Sequence, residues 1–260
     1  MTEFWMIYLR ALLILVGALS LLWLLSLRLK NAGIVDPVWG LTFVLAGWYY
    51  FSRTPDGDPT RKLLLMILTT IWAARLSIYL LWRNWGHAED FRYQAFRRRY
   101  GPQRYWWVSL FQVFWLQAGL AWVISAPLLG AQIRGGSLNG LDYAGVAIWL
   151  LGFIFEAGGD WQLMRFKANP ANAGKLMTGG FWRYTRHPNY FGDAACWWGY
   201  GLICLGAGSY LAAVGAVVMT WLIVRVSGVA LLEKTLTQVK PGYEEYVRRT
   251  SAFIPWPPKK

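Results

Sequence analysis

Residues 4–27 read FWMIYLRALLILVGALSLLWLLSL, an apolar run broken by one charge, Arg10, and long enough to cross a bilayer core as a helix. The stretch before it lacks the basic region of a cleaved signal, and the run is too long for a signal's apolar segment, so it reads as a first membrane span. Working outward with the same criterion predicts further spans near 34–52, 63–82, 107–130, 141–159, 190–207 and 209–231. Composition points the same way. The chain is 56% hydrophobic and 15% charged, against roughly 25% charged in soluble domains. The expected fold class is therefore an all-α polytopic membrane protein of about seven transmembrane helices, with residues 1–260 forming one membrane domain.

A net charge of +13 would suggest nucleic acid in a soluble protein. Here the basic residues are segregated. Segments 83–106, 160–189 and 233–260 hold 17 of the 26 Lys and Arg, and with seven spans all three fall on one side. The positive-inside rule then sets the N-terminus outside and the C-terminus, with both loops, in the cytoplasm. That bias accounts for the charge without nucleic acid. Trp and Tyr gather at span ends, as at Trp48 to Tyr50 and Tyr105 to Trp107, in the manner of interfacial belts. The Arg97-Arg98-Arg99 cluster is suited to anionic lipid headgroups. Beside it, Glu89 and Asp90 are equally suited to holding a ribose hydroxyl and to capping a helix. Cys196 and Cys204 lie eight apart in apolar sequence, a spacing without metal-ligand character, and neither His87 nor His187 is spaced from another ligand as a metal site requires. No metal is expected, and nothing in the sequence sets an oligomeric state.

Charged groups at membrane depth are costly and so become functional candidates. Asp36, Arg75, Asp193 and Arg225 qualify. Arg75, Tyr79 and Arg83 recur at four-residue steps and share a helix face. The segment from Asp160 to Asp193 adds Arg165, Lys167, Lys175, Arg183, Tyr184, Arg186, His187 and Asn189. Gly179-Gly180 permits close backbone approach, and Pro188-Asn189 is a plausible helix start whose amides and dipole would face an anion. Arg can grip a phosphate with two parallel bonds. The final segment runs from Glu233 through a Pro-Gly turn to a short helix with Tyr243 and Tyr246 and ends in the stiff AFIPWPP; it is expected to fold back over this loop as a lid.

Segment RHPNYFG at 186–192, the Asp160 to Lys167 spacing and the YEEYVRRTSAFIPWPP tail resemble the membrane superfamily of steroid 5α-reductases, sterol reductases and isoprenylcysteine carboxyl methyltransferases. More narrowly, VDPVWG at 35–40, residues 72–101, FQVFWLQ and the tail resemble the bacterial family DUF1295 over nearly the whole chain. The resemblance implies an inner-membrane NADPH-dependent oxidoreductase that reduces a carbon-carbon double bond in a lipid entering from the bilayer. It carries cofactor contacts onto Arg75, Asp160, Lys167, Tyr184, Asn189, Asp193 and Arg225. Arg165, Arg183, Arg186, His187 and Tyr246 join them as expected cofactor-binding residues. Trp39, Trp72 and Glu233 are the expected substrate-facing residues. Where the steroid enzymes carry a third-helix tyrosine this chain has Trp72, and the second helix lacks their Gln-Glu pair; Tyr79 and Asp36 are the nearest catalytic substitutes. The same RHPxY segment with Glu233 is also similar to the S-adenosylmethionine-dependent methyltransferases, which makes lipid or prenyl-cysteine methylation the alternative.

Overall fold

A computed structural model describes residues 2–229, 232, 233, 236 and 240–259, without the side chains of Thr2, Ala212 and Ser227. Among these residues the protein is helical, and no strand forms. The helices are α1 Thr2–Leu29, α2 Val35–Arg53, α3 Pro59–Asn84, α4 Phe91–Tyr100, α5 Pro102–Ser109, α6 Leu116–Ile124, α7 Ala126–Gln132, α8 Gly140–Ala168, α9 Pro188–Gly206, α10 Val214–Trp221 and α11 Tyr243–Arg249. A π turn, Leu110–Trp115, joins α5 to α6, and a second, Leu222–Ser227, follows α10.

Four helices are long and apolar enough to cross a membrane: Glu3–Leu29, Pro59–Asn84, Pro102–Gln132 and Gly140–Ala168. The other expected spans also fall on helix, though α2 and α9 have 19 residues each and do not meet that standard. The span expected at 209–231 is divided by the Leu211–Ala213 turn and the π turn, and residues 230 and 231 lie outside those described. A larger departure is α8, which runs on to Ala168 instead of stopping near 159. Asp160, Arg165 and Lys167 are therefore helical residues rather than loop residues, because a charge ends an apolar run without ending a helix.

Local chemistry sets the helix ends. Asp58 accepts the amide of Arg61 at 2.8 Å, with Pro59 in the first turn of α3. A capping box starts α8: Asn139 accepts from Leu141 N at 3.0 Å, while Asp142 accepts from Asn139 N at 2.8 Å. Gly101, at φ +70, ends α4 and admits the turn into Pro102.

The contacts divide the chain into two compact units, Met1–Leu138 with Ala207–Ala212, and Asn139–Gly206 with Ala213–Lys260. In the first, α1, α2, α3, α6 and α7 pack around Phe43, Tyr50, Leu65, Trp72 and Phe114, all fully buried. Tyr50 and Ser125 hydroxyls meet at 2.8 Å, and Trp122 donates to Tyr8 O at 2.8 Å. Two cations are buried here: Arg61 donates to the carbonyls of Gly136 and Ser137 at 2.9 and 3.0 Å, and Lys62 to that of Thr54 at 2.6 Å.

The second unit is built on α8 against α9. A Cβ on Gly145 would lie 2.7 Å from Gly199 O, one on Gly152 would lie 2.6 Å from Cys196 N and Gly192 O, and one on Gly159 would lie 3.0 Å from Pro188. Gly145, Gly152 and Gly159 recur every seven residues on α8, as do Gly192, Gly199 and Gly206 on α9. A strict period of seven keeps one seam facing a partner. Small residues let the two backbones touch, which is how helices gain contact where lipid removes the hydrophobic drive.

Candidate functional site

The first unit holds Asp36, Trp39, Trp72, Arg75 and Tyr79. Tyr79 lies between two cations, with the Arg75 guanidinium 5.6 Å and that of Arg83 5.8 Å from its ring centre, so the expected common face is realised. Asp36 is the hub of a different cluster. It accepts from Tyr93 Oη at 2.6 Å and from Arg92 at 2.7 Å, and Arg92 also donates to Asp90 at 2.8 Å. Trp72 is fully buried, edge-on to Phe43, and Trp39 also meets that ring edge-on, at 4.9 Å.

The Glu89-Asp90 pair turns out to be architectural. Asp90 caps α4 by accepting the Arg92 amide at 3.0 Å. Glu89 binds Arg97 through two bonds of 2.9 Å and accepts the Ala32 amide at 2.7 Å. Burial opposes ionisation of Asp90, but the side-chain and backbone bonds from Arg92 more than offset it and hold the carboxyl below its ordinary value.

In the second unit Asp160 and Asn189 come together. The carboxylate of Asp160, 5% exposed, accepts from the Asn189 amide at 3.0 Å, joining α8 to the first turn of α9, which begins at Pro188 as expected. Lys167 lies seven residues beyond Asp160 on one face of α8, and Arg165 stacks over Trp161 at 5.0 Å. Gly180, at φ +59, brings the loop onto α8, where Phe181 N donates to Gln162 at 2.9 Å and Trp182 Nε1 to Gly159 O at 3.1 Å. Arg165, Lys167, Arg183, Tyr184 and Arg225 are exposed, and His187 stacks on Tyr190.

Arg186 departs from its expected place among the cofactor ligands. It is 6% exposed and spends its donors inside the protein, on Glu233 at 2.6 and 2.7 Å and on the carbonyls of Val247 and Thr250. His187 Nε2 reaches the same Glu233 oxygen at 3.3 Å. Desolvation works against the Glu233 charge, and the bonds from His187 and Arg186 outweigh it, holding the carboxyl below its usual range. Glu233, expected to face substrate, thus faces Arg186 and His187. Tyr246, expected at the cofactor, donates its hydroxyl to Trp182 O.

These bonds fasten the tail to the loop. Thr185 and Ser251 form an isolated parallel bridge, Arg186 N donates to Ser251 O and Trp256 N to Tyr184 O, both at 2.9 Å, and Thr185 Oγ1 donates to Phe253 O at 2.9 Å. The fold-back expected of the tail is present as a strap on residues 182–187. Sequence reasoning omits Thr185, fully buried, and Glu156, 3% exposed and one turn before Asp160. Glu156 was detectable, since it is a carboxylate inside an apolar run. Among the described residues no group of three His, Cys, Asp or Glu is placed to hold a metal.

The arrangement can bind a polar ligand beside α9, with a buried carboxylate bonded to a half-buried amide, a helix N-terminus and cations on the neighbouring surface. Uncharacterized protein C594.04c of Schizosaccharomyces pombe is 25% identical to this chain over 269 residues, spanning 91% of this chain and 76% of that one. No solved structure matches significantly. The family described as protein of unknown function (DUF1295) matches residues 22–250, which take in Asp36, Asp160, Asn189, Glu233 and the strap up to Thr250. By that match the chain belongs to the DUF1295 family.

Proposed function

We propose that the protein is a membrane-embedded NADPH-dependent reductase of a carbon-carbon double bond in a lipid. The observation that carries this reading is the bond from half-buried Asn189 to buried Asp160 where α8 meets the start of α9, at two positions the reductase resemblance assigns to the cofactor. The donor set fits a phosphate-bearing dinucleotide. A carboxylate and an amide suit sugar hydroxyls, while exposed Arg165, Lys167 and Arg183 offer cations for phosphates. NADPH would supply the hydride, and the protein binds, orients and excludes water. The candidate proton donors are Tyr79 and Asp36, the second of which accepts from Arg92 and Tyr93. Arg75, facing the Tyr79 ring, orients it.

We further propose that α2, α9 and the α10 region complete seven crossings. At 1.5 Å per residue a 19-residue helix spans about 28 Å, enough for a bilayer core. The basic segments 83–106, 160–189 and 233–260 then lie in the cytoplasm, and the N-terminus outside.

A second reading is adenosylmethionine-dependent methylation, favoured by the Arg186–His187–Glu233 cluster. These are the residues shared with the methyltransferase signature, and Glu233 cancels the charge nearest the α9 start. Calorimetric titration of detergent-solubilised protein separates the two. NADPH is expected to bind at least about tenfold tighter than NADH, and Lys167→Ala is expected to weaken NADPH about tenfold, the size of one lost charge-assisted contact, while sparing NADH. Equal losses for both nucleotides overturn the reading. Binding of S-adenosylmethionine without NADPH moves it to methylation.

A further inference from the structure

Within the first unit, a cavity of about 420 Å³ opens between the end of α1 and α5, lined by Leu27, Lys30, Arg97, Pro102, Tyr105 and Trp106 among others. It shares no residue with the proposed cofactor positions. Three observations there concern one kind of ligand. Tyr105 is 3% exposed, yet its hydroxyl makes no hydrogen bond among the described residues. A buried hydroxyl left without a partner is costly, so a ligand in the cavity that draws this hydroxyl to the cavity wall and accepts from it removes that cost. Lys30, in the left-handed region at φ 53, lines the same cavity, and its ammonium has no carboxylate partner among the described residues. Arg97 lies 4.5 Å over the Tyr105 ring, its charge balanced by Glu89, so the cavity keeps a net positive charge supplied by Lys30. The ligand needs an anionic acceptor.

The surroundings identify its other half as apolar. Trp23 stacks on Trp106 at 6.4 Å and donates to its carbonyl at 2.9 Å, the amphipathic arrangement of a membrane boundary. On α4 and α5, Arg98, Arg99 and Arg104 are exposed; along α1, Leu21, Leu24 and Leu25 are exposed as well. A soluble phosphate would have no use for that leucine face. We propose that this cavity is a binding site for one anionic phospholipid. A phosphate oxygen accepts from the Tyr105 hydroxyl beside the Lys30 ammonium, and an acyl chain lies along the exposed leucines of α1.

The test is native mass spectrometry of the full chain extracted from vesicles of phosphatidylglycerol and phosphatidylcholine in equal parts. Wild type is expected to retain phosphatidylglycerol preferentially; Tyr105→Phe and Lys30→Gln are each expected to lower its retention at least about fivefold, leaving phosphatidylcholine unchanged. Arg104→Gln, which alters surface charge outside the cavity, is expected to retain as wild type does. Tyr105→Phe removes no internal hydrogen bond, so its melting temperature in lipid-free detergent should not fall. Full retention by Tyr105→Phe and Lys30→Gln overturns the proposal, as does an equal loss in Arg104→Gln, which marks diffuse attraction. Displacement of the lipid by millimolar inorganic phosphate also overturns it, in favour of a soluble anion.

Discussion

Glu233 meets Arg186 at 2.6 Å and His187 at 3.3 Å, with Tyr243 buried alongside. Glu233→Gln keeps the shape and removes the charge, so it is expected to cost about 2 kcal/mol at neutral pH, the scale of a charged hydrogen bond. Arg186→Ala should cost more, about 3–5 kcal/mol, because it strips the Glu233 carboxylate of its closest partner and takes the Arg186 donors from two tail carbonyls. Because folding depresses the Glu233 value, its contribution is complete above the ordinary carboxyl value near 4.5 and is lost as pH falls through the folded value. Thermal unfolding of wild type and Glu233→Gln should therefore differ at pH 7 and converge as pH falls through the folded carboxyl value, which lies under 4.5; a constant difference removes the ion pair from the account. At this scale the sequence marked the charged residues but not their partners. Glu89 and Asp90 were open between ribose and cap because the choice depends on Arg97 and Ala32, which only the fold brings to Glu89. Arg186 resembles a phosphate ligand in sequence, and its use as an internal fastener depends on where the tail returns.

At the scale of the helix, α1 was legible because a long apolar run with a single charge has one solution in a bilayer, while the end of α8 was not, because Trp161, Leu163 and Met164 carry the helix past the charges. The glycine seam was present in the sequence as two runs at intervals of seven, a period that a search for apolar stretches passes over. Its energetics are testable. Gly152→Ala places a methyl against Cys196 N and Gly192 O, atoms of a backbone that can move only by parting the helices, and is expected to cost about 1–3 kcal/mol. Gly119→Ala on α6 meets nothing within 4 Å and should be neutral or stabilising by up to about 1 kcal/mol. Melting curves of the two variants in one detergent compare them directly; equal effects would show that the seam is not tightly packed.

For the molecule as a whole, the basic residues of three segments and the apolar runs between them prescribe the orientation proposed above. A fluorescent protein fused after Lys260 is expected to mature and fluoresce in a bacterial host, whereas a periplasmic phosphatase fused there should stay inactive; the reverse pattern rejects the proposed topology. What composition did not disclose is how α1 keeps one long companion. Trp23 donates to Trp106 O, Trp115 to Ser20 and Trp122 to Tyr8 O, so one helix is touched before, within and after the π turn at Leu110–Trp115. A π turn accommodates an extra residue in a helical turn, and each α-helical residue advances the face by about 100°. Regular α winding of Leu110–Trp115 at its present length would swing every later indole about a quarter-circle away from its groove, whereas loss of one residue there would restore regular winding with both flanks in place. The two flanks together thus fix the rotation across this hexapeptide, and a one-residue gap in related chains should fall inside it.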